Sequence, residues 1–220
     1  LAEEASRLGN SRKTIAVYEI LEQFEGKLVI FCEFLATIDD LAKKITAKGI
    51  SIIKFDGRMS ITQKQAAIKN FRGEGRVLIA SRAGGEGLNI QFCQNMVNFD
   101  LPWNPMSVEQ RIGRLHRLGQ EGDVNVFNLS VKNTIEARVL ELLTNKIQLF
   151  ATVIGEIDLI LGKLGEDRTF EQMLRDSWIQ SQLNGEDPTK FEELGSEIST
   201  ARKGYEEIQE SRAMLDKVSS

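Results

Sequence analysis

The sequence predicts an α/β protein: a parallel β-sheet with helices on both faces, followed by an all-helical C-terminal extension. Three observations lead there. Short apolar runs recur between residues 27 and 150, separated by helical patterns of about ten to fifteen residues, which is how strands of a parallel sheet alternate with crossover helices. The clearest runs are apolar throughout instead of alternating, as strands covered on both faces require. From about residue 151 onward no strand signal remains.

Residues 1–26 read as a helix leading into the sheet, 27–150 as the sheet domain and 151–220 as the helical extension. Leu28-Val29-Ile30-Phe31-Cys32 is the first strand. Thr37 is the expected N-cap of the next helix, with Asp40 three residues on, Leu41 and Ile45 at i, i+4, and Gly49 closing it. Ile50 to Phe55 forms a second strand, and Ser60 with Gln63 a capping box before a helix whose apolar positions are Ala67, Ile68 and Phe71. Val77 to Ala80 is a third strand, a glycine-rich loop follows, and Met96 to Asp100 is a fourth. Ser107 to Leu118 should be a helix ended by Gly119, Val124 to Val131 a fifth strand, and Asn133 the cap of a long helix. In the extension, Phe170, Met173, Leu174 and Trp178 share a helical face, and Gly185-Glu186-Asp187-Pro188 is the expected break. A final polar helix from about Glu193 to Lys217 carries Ile198, Tyr205, Ile208 and Leu215 sparsely.

With 220 residues, 41% hydrophobic and 27% charged, the chain can bury one full core, which excludes a disulfide-stapled miniprotein and a wholly disordered chain. Its net charge of -4 conceals a split. Residues 1–150 hold 20 basic and 17 acidic side chains (+3), whereas 151–220 hold 8 and 15 (-7). The acidic tail reads as a helical appendage on the sheet domain, or as an arm that binds a partner protein or competes with nucleic acid for a basic groove. Cys32 and Cys93 are far apart and form neither a disulfide framework nor a metal-ligand pair, so a reducing cytosol or nucleoid suits the chain. No apolar stretch approaches the ~20 residues needed to span a bilayer, and the start lacks a signal segment, so a soluble protein without a membrane partner is expected. The first residue, Leu1, opens directly into a helical pattern, as in a chain cut from a longer one.

In parallel sheets ligands gather at the loops leaving the carboxyl ends of strands, which directs attention to the segments after the third and fourth. Ser81 to Asn89 holds three glycines in four positions, so its backbone can approach a ligand closely and its amides can form an anion-binding concavity; a tight turn explains the glycines equally well. In Gln110 to Gln120, a helical spacing puts Gln110, Arg114 and Arg117 on one face, with Ile112 and Leu115 directed to the buried side. Three arginines within seven residues, with Glu109 the only acid from Ser107 to Gln120, form either a basic surface patch or a cluster neutralised by a polyanion, for which the guanidinium fork suits phosphate. His116 lies off that face and reads as structural. Asp100-Leu101-Pro102-Trp103-Asn104-Pro105, with two of the three prolines, should fix where the arginine helix begins. No Gly-x-x-x-x-Gly-Lys-Ser/Thr cradle occurs, and no strand ends in an Asp-Glu pair suited to Mg²⁺.

Taken in order, these segments resemble the second RecA-like lobe of superfamily two helicases and translocases of the Swi/Snf type. Val29 to Phe34 is similar to motif IV, Phe55-Asp56-Gly57-Arg58 to the Asp-Gly element after the second strand, and Ser81 to Asn89 to motif V. Asp100 to Pro105 resembles the Asp-x-x-Trp-Asn-Pro that distinguishes the family, Gln110 to Gln120 motif VI, and Thr134 to Val139 the opening of a helix that braces the two lobes. The resemblance implies an enzyme that binds ATP and Mg²⁺ mainly through a first lobe of the same polypeptide, where the P-loop belongs, and moves along double-stranded DNA by phosphate contacts. It implies Arg114 and Arg117 as arginine fingers, Gly87, Asn89 and Gln110 as nucleotide contacts, and Ser81, Arg58 and Phe34 as nucleic-acid contacts; Asn89 stands where many members carry Asp. No protein metal ligand is implied for this lobe. A strand-separating DNA or RNA helicase lobe and a non-catalytic RecA-like scaffold are the alternatives. For a prokaryotic source the location would be cytoplasmic and nucleoid-associated.

Overall fold

A computed structural model of the chain describes residues 11–81, 88–115, 123–141 and 144, then 170–183, 192–201, 203–204 and 207–208. Helix α1 spans Arg12–Gln23; Ser11 Oγ accepts from the Thr14 amide at 3.2 Å, and the helix buries Val17, Ile20 and Leu21. Strand β1, Leu28–Cys32, is buried at all five positions, as the unbroken apolar run requires. Helix α2 spans Leu35–Thr46 and begins before the expected Thr37 cap: Phe34 stands at the N-cap without a side-chain bond. A tertiary anchor makes that cap unnecessary. The Asp100 carboxylate accepts from the Glu33 amide at 2.9 Å, turning the chain directly after β1, and the Ile38 amide reaches the Phe34 carbonyl at 3.1 Å. Gly49 takes φ +78° in the closing turn, a left-handed conformation that glycine adopts without a Cβ penalty.

Strand β2 is Ile52–Phe55, shorter than the run from Ile50, and helix α3 is Ile61–Arg72. The capping box is formed as expected: the Gln63 amide donates to Ser60 Oγ at 3.3 Å, and the Ser60 amide to Gln63 Oε1 at 2.8 Å. Ser60→Ala removes one half of this reciprocal pair at an exposed helix start, and an expected loss of about 1 kcal/mol should appear in urea unfolding of the chain. Strands β3 (Val77–Ser81), β4 (Asn95–Asn98) and β5 (Asn125–Asn128) follow, with helix α4 (Pro105–Ile112) between the last two. Pro105 is the first helical residue of α4, a place where its missing N–H costs nothing and its fixed φ favours the helix.

Helix α5 spans Ile135–Glu141. Asn133 is not its cap. The Thr134 carbonyl accepts from the Ala137 and Arg138 amides at 3.1 and 3.3 Å, so Thr134 holds the cap place and Asn133, at φ +61°, makes the left-handed bend before it. Helix α6 spans Phe170–Leu183 with Leu174 buried, and residues 192–201 are helical with Leu194 and Ile198 buried. Among the described residues no strand follows β5. The Gly185 to Pro188 break lies outside them.

The sheet order is β2-β3-β1-β4-β5, and all pairings are parallel. Alternate residues of the central strands feed two cores. On one face Leu28, Ile30 and Cys32 pack with Val77, Ile79 and Val97 beneath α1 and Ile38, Leu41 and Ile45 of α2. On the other, Val29 and Phe31 pack with Leu78, Ala80 and Met96 beneath Ala67 and Phe71 of α3, joined by Leu88, Ile90, Cys93 and Leu115. Paired asparagines fix the β4–β5 register at both ends: Asn125 Nδ2 donates to Asn95 Oδ1 and Asn98 Nδ2 to Asn128 Oδ1, each at 2.8 Å. Contacts group residues 1–101 with 110–131 as one compact unit containing the sheet, and 102–109 with 132–220 as a second.

Candidate functional site

Because every strand is parallel, all five carboxyl ends lie along one edge of the sheet. The chain leaves β1 toward the face of α2, whereas the segment after β3 returns on the face of α3, where Leu88, Ile90 and Cys93 are buried. Connections that diverge to opposite faces after neighbouring strands mark the ends of β1 and β3 as the place where such sheets bind ligands. Ser81 ends β3 there, paired in register with Cys32 and 4% exposed. Phe34, just past β1, is 66% exposed although aromatic.

Past β2, Arg58 is clamped to Asp56. Its Nε and Nη2 donate to the two carboxylate oxygens at 3.1 and 2.6 Å, and its amide to Oδ1 at 2.9 Å. These hydrogen bonds from Arg58 hold the buried Asp56 carboxyl below its ordinary pKa, outweighing the opposing effect of burial. A depressed carboxyl contributes stability above the unfolded carboxylate range and loses it as pH falls through the folded value, so the clamp that orients Arg58 opens on the acid side. The Arg58 side chain remains largely exposed at the edge.

The arginine segment departs from a single long helix. Helix α4 ends at Ile112, and the chain continues in tighter turns: the Arg114 amide donates to the Arg111 carbonyl at 3.1 Å, and Leu115 to Ile112 at 2.9 Å. The Arg114 carbonyl accepts from the Ile90 amide at 3.2 Å, so it is engaged across the fold while Leu115 is drawn fully into the core. The regular helical spacing expected to align Gln110 and Arg114 therefore stops at Ile112. Gln110 is exposed on α4, and Arg114 is half-buried in the turn beyond it. The same backbone bond brings Arg114 beside Asn89, which is exposed between buried Leu88 and Ile90. Gly87, His116 and Arg117 lie outside the described residues.

Sequence reasoning missed Arg111. It is 6% exposed, and its Nη1 donates to Asn98 Oδ1 at 2.8 Å and to the Asp100 carbonyl at 3.0 Å. Nη2 lies 3.8 Å from Glu33 Oε2, and the guanidinium stands 5.1 Å over the Phe31 ring. A buried cation is tolerated only with such partners. Asp100 is a second junction: besides holding the Glu33 amide, its carboxylate is 3.9 Å from Lys13 Nζ, which donates to the Phe99 carbonyl at 2.8 Å. The signal for Arg111 was present in the spacing, since position 111 falls three residues after Val108 and four before Leu115, on the buried stripe itself.

The two thiols offer no nucleophile. Cys32 is pushed up to about 12, by burial first and then by the Asp100 carboxylate, and Cys93 to about 11, again mainly by burial. Among the described residues no three His, Cys, Asp or Glu side chains gather as a metal site, and no helix is long and apolar enough to cross a membrane.

A five-stranded parallel sheet with helices on both faces is the architecture of a RecA-like lobe. Residues 12–119 match the helicase conserved C-terminal domain and belong to that family. A Bacillus subtilis relative, the uncharacterized ATP-dependent helicase YqhH, is 42% identical over 90% of this chain and 36% of its own length. The ATP-dependent DNA helicase DDM1 of Arabidopsis thaliana is 31% identical over 73% of this chain and 23% of its own. The chain thus spans about a third or less of these relatives, which place it among the Swi/Snf-like ATP-dependent helicases as a C-terminal lobe. The C-terminal part of the Fun30 ATPase domain shares the RecA-like fold, with TM-score 0.57 and 24% identity over 78% of this chain and 55% of that one.

Proposed function

We propose that the chain is the second lobe of an ATP-driven translocase on double-stranded DNA, supplying arginine fingers to a nucleotide held mainly by a first lobe of the same polypeptide. The observation that carries this reading is the placement of Arg114: half-buried in the turn after α4, its backbone bonded to Ile90 next to the exposed Asn89. With its main chain held by the bonds to Arg111 and Ile90, Arg114 starts from a defined position from which its guanidinium can reach a phosphate supplied from outside the lobe. Arg114, with Arg117 three residues on, stabilises charge as the γ-phosphoryl departs, while Gly87, Asn89 and Gln110 contact the nucleotide. Mg²⁺ neutralises phosphate charge when it accompanies ATP, and its protein ligands belong to the first lobe.

Phe34, Ser81 and Arg58 form the nucleic-acid side. Arg58, held by Asp56 yet largely exposed, meets backbone phosphate without reading bases. Residues 27–150 make up the motor lobe in this reading, and the acidic 151–220 segment, at -7, presents a surface for a protein partner.

Turnover of the complete enzyme should rise with duplex DNA more than with single strands or RNA; stimulation by RNA alone would transfer the lobe to an RNA-directed helicase. The lobe by itself should bind duplex DNA weakly, with affinity falling steeply with salt, because the expected contacts are to phosphate. Arg58→Ala should flatten the salt slope by about one, read by fluorescence anisotropy between 50 and 200 mM salt. Tight binding that ignores salt would count against the reading.

A further inference from the structure

We infer that Arg111 is the positioning residue that links the nucleic-acid side of the lobe to the arginine finger, acting through Glu33 and Asp100. This rests on the function proposed above, and it adds a residue that neither the motif pattern nor the relatives assign.

The link is continuous on both sides of Arg111. Toward the end of β1, its guanidinium covers the Phe31 ring at 5.1 Å and faces Glu33 at 3.8 Å, one residue before the exposed Phe34. Glu33 is held from a second direction by Asp100, whose carboxylate accepts its amide at 2.9 Å, while the Asp100 carbonyl accepts from Arg111 Nη1 at 3.0 Å. Glu33, Asp100 and Arg111 therefore close a ring of three contacts. Toward the nucleotide, the Arg111 carbonyl receives the Arg114 amide at 3.1 Å, and the Arg114 carbonyl receives the Ile90 amide at 3.2 Å, next to Asn89. A displacement of the Glu33–Phe34 segment by bound nucleic acid is passed to a guanidinium that is also held by Asn98, the Asp100 carbonyl and the Phe31 ring, and the same residue's peptide group carries it to the finger.

The guanidinium matters for its shape as well as its charge. Nη1 serves Asn98 at 2.8 Å and the Asp100 carbonyl at once, and the planar group lies over the aromatic ring while the second amino group faces Glu33. A lysine supplies the charge but neither the fork nor the stacking plane. Glu33 is a more lenient position: its side chain is about a third exposed, so Glu33→Gln keeps the fold and the Asp100 bond to its backbone while removing the charge opposite Arg111.

The test measures ATP turnover of the complete enzyme with and without duplex DNA, normalised to the folded fraction by circular dichroism, for wild type, Arg111→Lys and Glu33→Gln. For Arg111→Lys the DNA-stimulated kcat should fall tenfold or more and the ratio of stimulated to unstimulated turnover should approach one, with KM for ATP within twofold of wild type. Glu33→Gln should reduce the ratio in the same direction by threefold or more, and it carries the test if Arg111→Lys does not fold. A wild-type ratio in folded Glu33→Gln overturns the inference, as does one in folded Arg111→Lys. Wild-type enzyme whose turnover ignores every nucleic acid overturns instead the function on which the inference stands.

Discussion

Arg114→Ala in the complete ATPase is expected to lower kcat by roughly 10³-fold or more, about 4 kcal/mol of transition-state stabilisation, while leaving the lobe folded. The backbone bonds that hold this turn, from the Arg114 amide to Arg111 and from Ile90 to the Arg114 carbonyl, do not involve the side chain and survive its truncation. Arg114 is only half-buried, whereas Leu115 beside it is fully buried in the core. Charge on a departing phosphoryl group develops only as the reaction proceeds, so a group that answers it affects kcat more than the affinity for ATP. Arg114→Lys retains the charge without the bidentate fork and should recover only a small part of the loss. Steady-state turnover together with nucleotide affinity decides the matter: near-wild-type kcat in the folded alanine variant removes the finger assignment.

The parts of this lobe legible in the sequence are those set by local rules. An apolar run covered on both faces located β1 to the residue, and a reciprocal pair of short polar side chains located the start of α3. The start of α2 was misplaced because a carboxylate 67 residues away, Asp100, turns the chain at Glu33, and no local cap signal reports a long-range bond. The end of α4 was misplaced for the same reason, since the Arg114 carbonyl is taken by Ile90 across the fold. The asparagine pairs that lock β4 to β5 are equally invisible, because a buried asparagine in a strand reads as a weak strand residue until its partner is known. At the site, the motifs put Ser81, Phe34 and Arg58 at strand ends, which the parallel topology places along a common edge. They drew attention to Arg114 and Arg117 and passed over Arg111, whose significance lies in being buried.

Phe31 and Phe71 separate stability from function within a single core. Both belong to the cluster beneath α3 and are at most 1% exposed, so truncating either to alanine should cost about 3–5 kcal/mol. For a chain of this size that is a fall of roughly 6–20 °C in Tm, a large part of the total stability of an ordinary domain. Their surroundings differ. Phe71 packs on Phe92 at 5.5 Å between ring centroids and lies beneath Lys27 at 5.4 Å, at the amino edge of the sheet. Phe31 lies one residue from the carboxyl end of β1, accepts the Phe99 amide on its carbonyl at 3.0 Å, and carries the Arg111 guanidinium on its ring. Phe71→Ala should therefore lower Tm and leave DNA-stimulated turnover per folded molecule near wild type. Phe31→Ala should lower Tm by a similar amount and also reduce that turnover severalfold, because Arg111 loses the surface against which it is aimed. Equal turnover per folded molecule in the two variants, measured well below both melting transitions, would mean that the platform under Arg111 contributes packing alone.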